Sequence, residues 1–125
     1  MLNTTGTTWK ALQAHFEAFC EYPMRDLFAE DSERFSKFSL QYNTILLDYS
    51  KNRINEETMS LLFQLAREAG LEEWITRMFN GEKINHTENR AVLHTALRNR
   101  STESVMLDGQ DVMPEVRIEL NKIRE

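Results

Sequence analysis

The sequence predicts a helix-rich α+β chain with a short β-hairpin. Over most of the 125 residues, apolar side chains recur at steps of three and four, as on one face of a helix. The spacing changes to two near residue 40, where a pair of strands is expected. Four glycines and two prolines punctuate the chain, and they fall where helices should begin or end.

Three helical segments are expected before the hairpin. The first ends at Pro23, because a proline disfavours helix in the residue before it. Helix restarts over residues 24–28, and Arg34 and Phe35 lie in a further turn. The apolar stripe of the first helix consists of Trp9, Leu12, Phe16 and Phe19.

The hairpin is predicted from an alternating segment and a turn. Phe38, Leu40 and Tyr42 alternate with polar residues, which suits a half-buried strand. Asn43 and Thr44 can turn the chain, and the compact apolar run over residues 45–49 supplies the second strand.

Two adjacent helices are expected in the middle of the chain. Asn55 is a suitable N-cap, and Glu56 and Glu57 lie favourably at the positive end of the helix dipole. Gly70 fits the left-handed position after the first of these helices, and Gly81 closes the second. Their apolar stripes are Met59, Leu62, Phe63 and Ala66, then Leu71, Trp74, Ile75, Met78 and Phe79.

The last third predicts a helix, a short strand and a final helix. Thr87 is expected to cap the first helix, whose apolar residues are Val92, Leu93, Ala96 and Leu97. Residues 105–107 form the strand, Asp108 and Gly109 its turn, and Pro114 lies in the first turn of the final helix.

The final helix has no stop signal. Its apolar face consists of Val112, Val116, Leu120 and Ile123, and the pattern continues into Glu125. We therefore expect residues 1–125 to be an incomplete segment, at most one domain, that is cut within its last helix. Because a short hairpin cannot cover every apolar helix face, the chain alone should be marginally stable or self-associate.

Composition argues against several classes of protein. The formal net charge of −5 argues against nucleic-acid binding, which depends on excess basic residues. The apolar runs are too short to span a membrane, and no signal peptide is evident at Met1. A single cysteine, Cys20, cannot form an internal disulfide. The expected location is the cytoplasm.

The densest polar stretch covers residues 81–101. It contains the basic residues Lys83, Arg90, Arg98 and Arg100, the histidines His86 and His94, and the acids Glu82 and Glu88. One interpretation is an anion site, since guanidinium groups match phosphate oxygens. The other, which we favour, is structural: the arginines hold neighbouring loops through salt bridges and carbonyl hydrogen bonds. No glycine-rich phosphate loop of the usual kind accompanies the cluster.

Other candidate groups also have simple structural interpretations. His86 and His94 are eight residues apart, unlike two metal ligands on one helix face, and His15 and Cys20 lie elsewhere. The acid pairs at 56–57 and 72–73 each lie in a first helical turn. We expect the aromatic residues to be core side chains: Trp9, Phe16, Phe19, Phe63, Trp74 and Phe79. The residues themselves thus predict no catalytic, cofactor-binding or metal-binding site.

Four stretches carry a family resemblance. Residues 79–101 read FNGEKINHTENRAVLHTALRNRS, residues 47–54 read LDYSKNRI, residues 108–116 read DGQDVMPEV, and residues 34–39 read RFSKFS. In order and spacing they resemble the N-terminal region of glucose-6-phosphate isomerases, from about Trp9 onward. Gln110 replaces the usual lysine, position 86 varies among members, and members are several times longer.

The resemblance implies an aldose–ketose isomerase of glycolysis and gluconeogenesis. The family interconverts glucose 6-phosphate and fructose 6-phosphate through an enediol, without a metal or other cofactor, as a cytoplasmic homodimer. Its proton-transferring glutamate, ring-opening histidine and lysine, stabilising arginine and phosphate-binding loop lie downstream, so none maps onto residues 1–125.

The same resemblance places this segment in the larger subdomain of an α/β sugar-isomerase-type fold. It would be scaffold there, and inactive alone. The alternative is a free-standing helical protein-interaction module without enzymatic activity.

Overall fold

The computed structural model describes residues 4–124, which form two compact units divided between Ala69 and Gly70. Each unit contains one antiparallel two-stranded hairpin, in the orders β1-β2 and β3-β4. The helix-rich α+β prediction is confirmed. Met1 and Glu125, which entered the expectations about a signal peptide and about the end of the last helix, lie outside the described range. Within it, no helix is both long and apolar enough to cross a bilayer.

The first unit consists of helices α1 (Thr7–Phe19), α2 (Met24–Glu30), α3 (Arg34–Lys37) and α4 (Glu56–Glu68) and strands β1 (Ser39–Tyr42) and β2 (Ile45–Asp48). The second consists of α5 (Leu71–Phe79), α6 (His94–Arg98) and α7 (Met113–Arg124) with strands β3 (Met106–Leu107) and β4 (Gln110–Asp111).

Helix α4 begins with the predicted cap. The Asn55 side chain accepts a hydrogen bond from the Thr58 backbone N–H at 2.8 Å, and the Thr58 hydroxyl accepts one from the Asn55 N–H at 3.1 Å. This reciprocal capping box satisfies two backbone donors that the helix leaves unpaired. Helix α1 runs antiparallel along α4, with the Thr8 hydroxyl donating to Glu68 at one end and His15 bonded to Thr58 towards the other.

The predicted turns have the expected backbone. The β1-β2 pair turns at Asn43, whose φ is 51°, a left-handed value that asparagine tolerates well. The β3-β4 pair turns at Asp108 and Gly109, with φ of 50° and 83°. Two successive positive values match the twist of a tight hairpin. Gly70 and Gly81 are also left-handed, with φ of 68° and 74°.

Two predicted helix boundaries are wrong. Helix α1 ends at Phe19 rather than Pro23, and the Pro23 carbonyl instead accepts from Asp26 N–H at 3.0 Å at the start of α2. Thr87 caps no helix, since α6 begins only at His94. Residues 85–90 form a turn in which the Asn85 side chain accepts from the Thr87 hydroxyl at 2.8 Å. That local bond competes with helix formation.

The core prediction for the aromatic residues is wrong at three positions. Phe16, Phe63 and Phe79 are 65%, 56% and 59% exposed, whereas the other three helical aromatics are half-buried. The buried apolar side chains of the described residues are Leu27, Phe38, Ala96 and Met113. Helical periodicity locates an apolar stripe but does not supply the element that covers it.

Arg34 is the largest fully buried side chain and joins two parts of the first unit. Its Nε donates to the Ser50 carbonyl at 2.9 Å and its Nη2 to the Asn52 carbonyl at 2.8 Å. The guanidinium carbon also lies 5.4 Å from the Phe28 ring centre and 4.9 Å from that of Phe38. Helix α3 is thereby fastened to the segment that follows the hairpin.

We expect Arg34→Ala to lower the free energy of unfolding of the first unit by about 3 kcal/mol or more, because each hydrogen bond to a charged group contributes about 1.5–3 kcal/mol. Arg25→Ala is the control, since the Arg25 side chain is 89% exposed. It should change stability by less than about 0.5 kcal/mol. Urea denaturation followed by circular dichroism measures both, and equal effects would contradict the anchoring role.

The second unit requires glycine at position 81 because the backbone there is left-handed and because a side chain would meet a neighbouring strand. Alanine variants at Gly81 and Gly109 separate these two reasons. A Cβ there would lie 2.3 Å from the Met106 backbone oxygen, whereas a Cβ on Gly109 meets nothing within 4 Å. Both alanine variants carry the left-handed strain of about 1–2 kcal/mol. Only Gly81→Ala should add an overpacking cost of about 1–3 kcal/mol. The same denaturation measurement tests this, and a Gly109→Ala variant as unstable as Gly81→Ala would show that strain alone matters.

Candidate functional site

Some side chains of the polar stretch over residues 81–101 have a structural role, because they form ion pairs and ring contacts with neighbouring segments. Lys83 Nζ lies 2.9 Å from Asp108 Oδ2, so it connects the loop after α5 to the β3-β4 turn. Just before the stretch, Arg77 pairs with Glu82 at 2.8 Å and lies 4.5 Å from the Trp74 ring centre. The His86 ring packs edge-on against the same indole, at 5.5 Å.

The three arginines of the stretch make weaker and more local contacts than the structural interpretation requires. Arg90 lies 3.7 Å from Glu88, and both side chains are well exposed. Arg98 donates to the His94 carbonyl of its own helix at 3.3 Å. Among the described residues, Arg100 makes no hydrogen bond and no ion pair. None of these contacts fastens one loop to another.

Two of these arginines share an open groove of about 910 Å³ in the second unit. It is lined by Met78, Phe79, His94, Thr95, Arg98, Asn99, Arg100, Glu103, Ser104 and Val105. Arg90 and His86 are not among the lining residues. Glu103 adds a carboxylate to the groove lining, and both arginines are exposed to water. The groove offers cations to a ligand but no enclosed site that would strengthen their attraction for an anion.

A second polar cluster, in the first unit, was missed in the sequence. His15 Nε2 lies 2.7 Å from the Thr58 hydroxyl, and His15 Nδ1 lies 3.5 Å from a Glu57 carboxylate oxygen. A hydroxyl, an imidazole and a carboxylate in this order resemble an activated nucleophile. The sequence does not predict this cluster, because His15 and Thr58 are 43 residues apart.

The Thr58 hydroxyl is nevertheless committed to the cap of α4. It accepts from the Asn55 N–H and lies 2.8 Å from the Asn55 side-chain oxygen, and Thr58 is 8% exposed. A nucleophile must present its oxygen to a substrate, which this hydroxyl does not. Cys20 lines a groove that His15 and Thr58 also line, and its sulfur has only distant contacts, 3.8 Å to the Glu17 carbonyl and 4.0 Å to Glu21.

The perturbed carboxylates also mark structural positions. Hydrogen bonds from the Met113 N–H, and then from the Ser104 hydroxyl, lower the pKa of Asp111 at the start of α7. The Ser50 hydroxyl and N–H lower the pKa of Asp48, and the Thr8 hydroxyl lowers that of Glu68. Each bond favours the charged form. The hydrogen bonds stabilise the helix ends and turns, and the lowered pKa values lie further from neutral pH, where an acid–base catalyst needs its pKa.

The histidines, Cys20 and the paired acids do not come together as a set of metal ligands in the described part of the chain. Within residues 4–124 no group of three His, Cys, Asp or Glu side chains is arranged to hold a metal ion. Of the paired acids, Glu56 lies 3.3 Å from Lys37 and Glu57 contacts His15, while Glu72 and Glu73 lie in the first turn of α5 as expected.

Comparison with known proteins gives a clear relationship. A family model described as phosphoglucose isomerase matches residues 48–125. The chain is also 54% identical over 122 residues to a curated protein named glucose-6-phosphate isomerase from Methylococcus capsulatus (strain ATCC 33009 / NCIMB 11132 / Bath). The alignment covers 98% of this chain and 22% of that protein. The chain therefore spans about a fifth of the length of this relative.

The environment of Asp111 gives a pH prediction. Because its folded-state pKa is lowered from 3.8, its contribution to stability is present above that value and is lost as pH falls through the folded-state pKa. A carbon-detected NMR titration should give an Asp111 midpoint below 3.8. Ser104→Ala should raise the midpoint, because a hydroxyl bond to the carboxylate at 2.8 Å is lost.

Ser101→Ala is the control for this titration, since the Ser101 hydroxyl donates to Asn99 and not to Asp111. A midpoint that both variants raise equally would contradict the assigned contact.

Proposed function

Since the chain belongs to the phosphoglucose isomerase family, we propose that it forms the N-terminal part of an enzyme that interconverts glucose 6-phosphate and fructose 6-phosphate. The observation that carries this proposal is the 54% identity, which extends over 98% of the chain. Nothing in the comparisons favours a free-standing interaction module.

The proposed role of residues 1–125 is structural. The side chains with strong polar contacts serve helix ends or join segments. Asn55 caps α4, Asp111 accepts from the first N–H of α7, and Arg34 and Lys83 join segments. The cluster that resembles a nucleophile uses its hydroxyl in a cap. We therefore place the groups that open the sugar ring and transfer its proton outside this segment, in polypeptide that the relative has beyond the aligned fifth.

The remaining properties follow the family resemblance. The whole enzyme would act in glycolysis and gluconeogenesis, in the cytoplasm, as a homodimer and without a metal or other cofactor. Its substrate would be a sugar phosphate, and residues 1–125 would belong to its larger subdomain. Glutamate-mediated proton transfer through an enediol would need no group from the present segment.

The activity prediction compares the segment with a chimera. Purified 1–125 should produce no glucose 6-phosphate from fructose 6-phosphate above a buffer blank in a dehydrogenase-coupled assay. A chimera in which this chain replaces the aligned residues of the Methylococcus relative should be active, because it contains both the scaffold and the missing groups.

Two results would count against this assignment of roles. Turnover by 1–125 alone would place catalytic groups within it. A chimera that is folded by circular dichroism but inactive would contradict the proposal that this segment serves such an isomerase.

A further inference from the structure

The β1-β2 hairpin has two chemically different faces. Leu40 pairs with Leu47 and Tyr42 with Ile45, and directly opposed residues point to the same side of a sheet. The intervening pairs, Ser39 with Asp48 and Gln41 with Leu46, point to the other side. The first set is apolar except for the Tyr42 hydroxyl, and we call Leu40, Tyr42, Ile45 and Leu47 the apolar hairpin face.

This face is largely uncovered. Its four side chains are 62%, 72%, 67% and 57% exposed, in the order of the chain. A two-stranded hairpin is marginally stable in water unless its apolar side packs against something. A contiguous exposed patch of this kind marks an interaction surface.

The hairpin is held firmly at its base, so the face is preformed. Phe38, just before β1, is 4% exposed, and its carbonyl accepts from the Tyr49 N–H just after β2 at 2.9 Å. The two rings pack edge to face at 6.1 Å. Arg34 then fixes the following backbone at Ser50 and Asn52. A rigid surface loses little conformational entropy when a partner binds it.

The size of the face decides between partners. A partner that covers these four side chains would bury on the order of 400 Å² of accessible surface on the hairpin. A stable contact between separate proteins needs about 800 Å² from each partner, so this face alone is too small to hold a second copy. Polypeptide joined to the segment meets it at a high effective concentration and needs less area. In the Methylococcus relative, the aligned residues and the other four fifths belong to one chain.

We propose that the apolar hairpin face is the docking surface for the remaining polypeptide of the isomerase, which covers it with an apolar helix or strand face. The face contains no charged residue, so a charged partner gains nothing there. The inference rests on the proposed function in one respect, that the segment works within a longer isomerase chain.

Two neighbouring leucines provide a matched test in the chimera. Leu47 lies on the apolar face and Leu46 on the opposite face, with exposures of 57% and 55%. Leu47→Lys should lower the thermal midpoint of the chimera by several degrees, whereas Leu46→Lys should leave it unchanged. If Leu47→Lys abolishes folding, Leu47→Ala and Leu46→Ala give the same comparison with a milder change.

Two further readouts separate the possible results. Equal losses at Leu46 and Leu47 would overturn the proposal. Light scattering should show the same molar mass for both variants, and a Leu47→Lys loss that accompanies a halved mass would assign the face to a second copy instead. Isomerase activity is read on the same samples, so a folded but inactive chimera contradicts the proposed function while its thermal midpoint still tests the docking surface.

Discussion

The buried guanidinium of Arg34 sets the geometry of the first unit. A charge removed from water is unfavourable unless its donors are satisfied, and here two backbone carbonyls and two aromatic faces surround it. The carbonyls belong to the residues that follow β2, so α3 and the end of the hairpin hold one position relative to each other. The closure of the hairpin at Phe38 and Tyr49 and the direction of its apolar face both depend on that position.

The sequence reveals features whose cause is local. Asn55 caps α4 by accepting a hydrogen bond from the N–H of Thr58, three residues away. The turns at Asn43 and Gly109 require only residues that tolerate a left-handed backbone. Thr87 is an exception, because its hydroxyl donates to the Asn85 side chain instead of capping a helix. A threonine hydroxyl can serve either a helix cap or a local turn, and the sequence does not state which of the two forms.

Long-range contacts were not visible in the same way. The resemblance included Arg34, but the carbonyls that it binds are 16 and 18 residues away, and no side-chain type marks a carbonyl. The arginines that attracted notice, Arg98 and Arg100, are exposed instead. The high density of charged residues over 81–101 indicated only a polar surface. The arginine that is buried and joins two segments is Arg34, which lies in the short helix α3 beside two aromatic rings. The His15–Thr58 contact was missed for the same reason of distance.

The exposed apolar stripes connect the fold to the proposed role. The predicted stripes on α1, α4 and α5 lie on helices, yet Phe16 and Phe63 remain in water because the first unit contains few elements to pack against. An independent domain of this size would be expected to bury most such side chains, since burial is the main favourable term in folding. A scaffold segment can leave them exposed if other polypeptide covers them in the whole enzyme. The polar contacts agree with this view, because they cap helices and close turns and so fix the shape of surfaces whose apolar partners lie elsewhere.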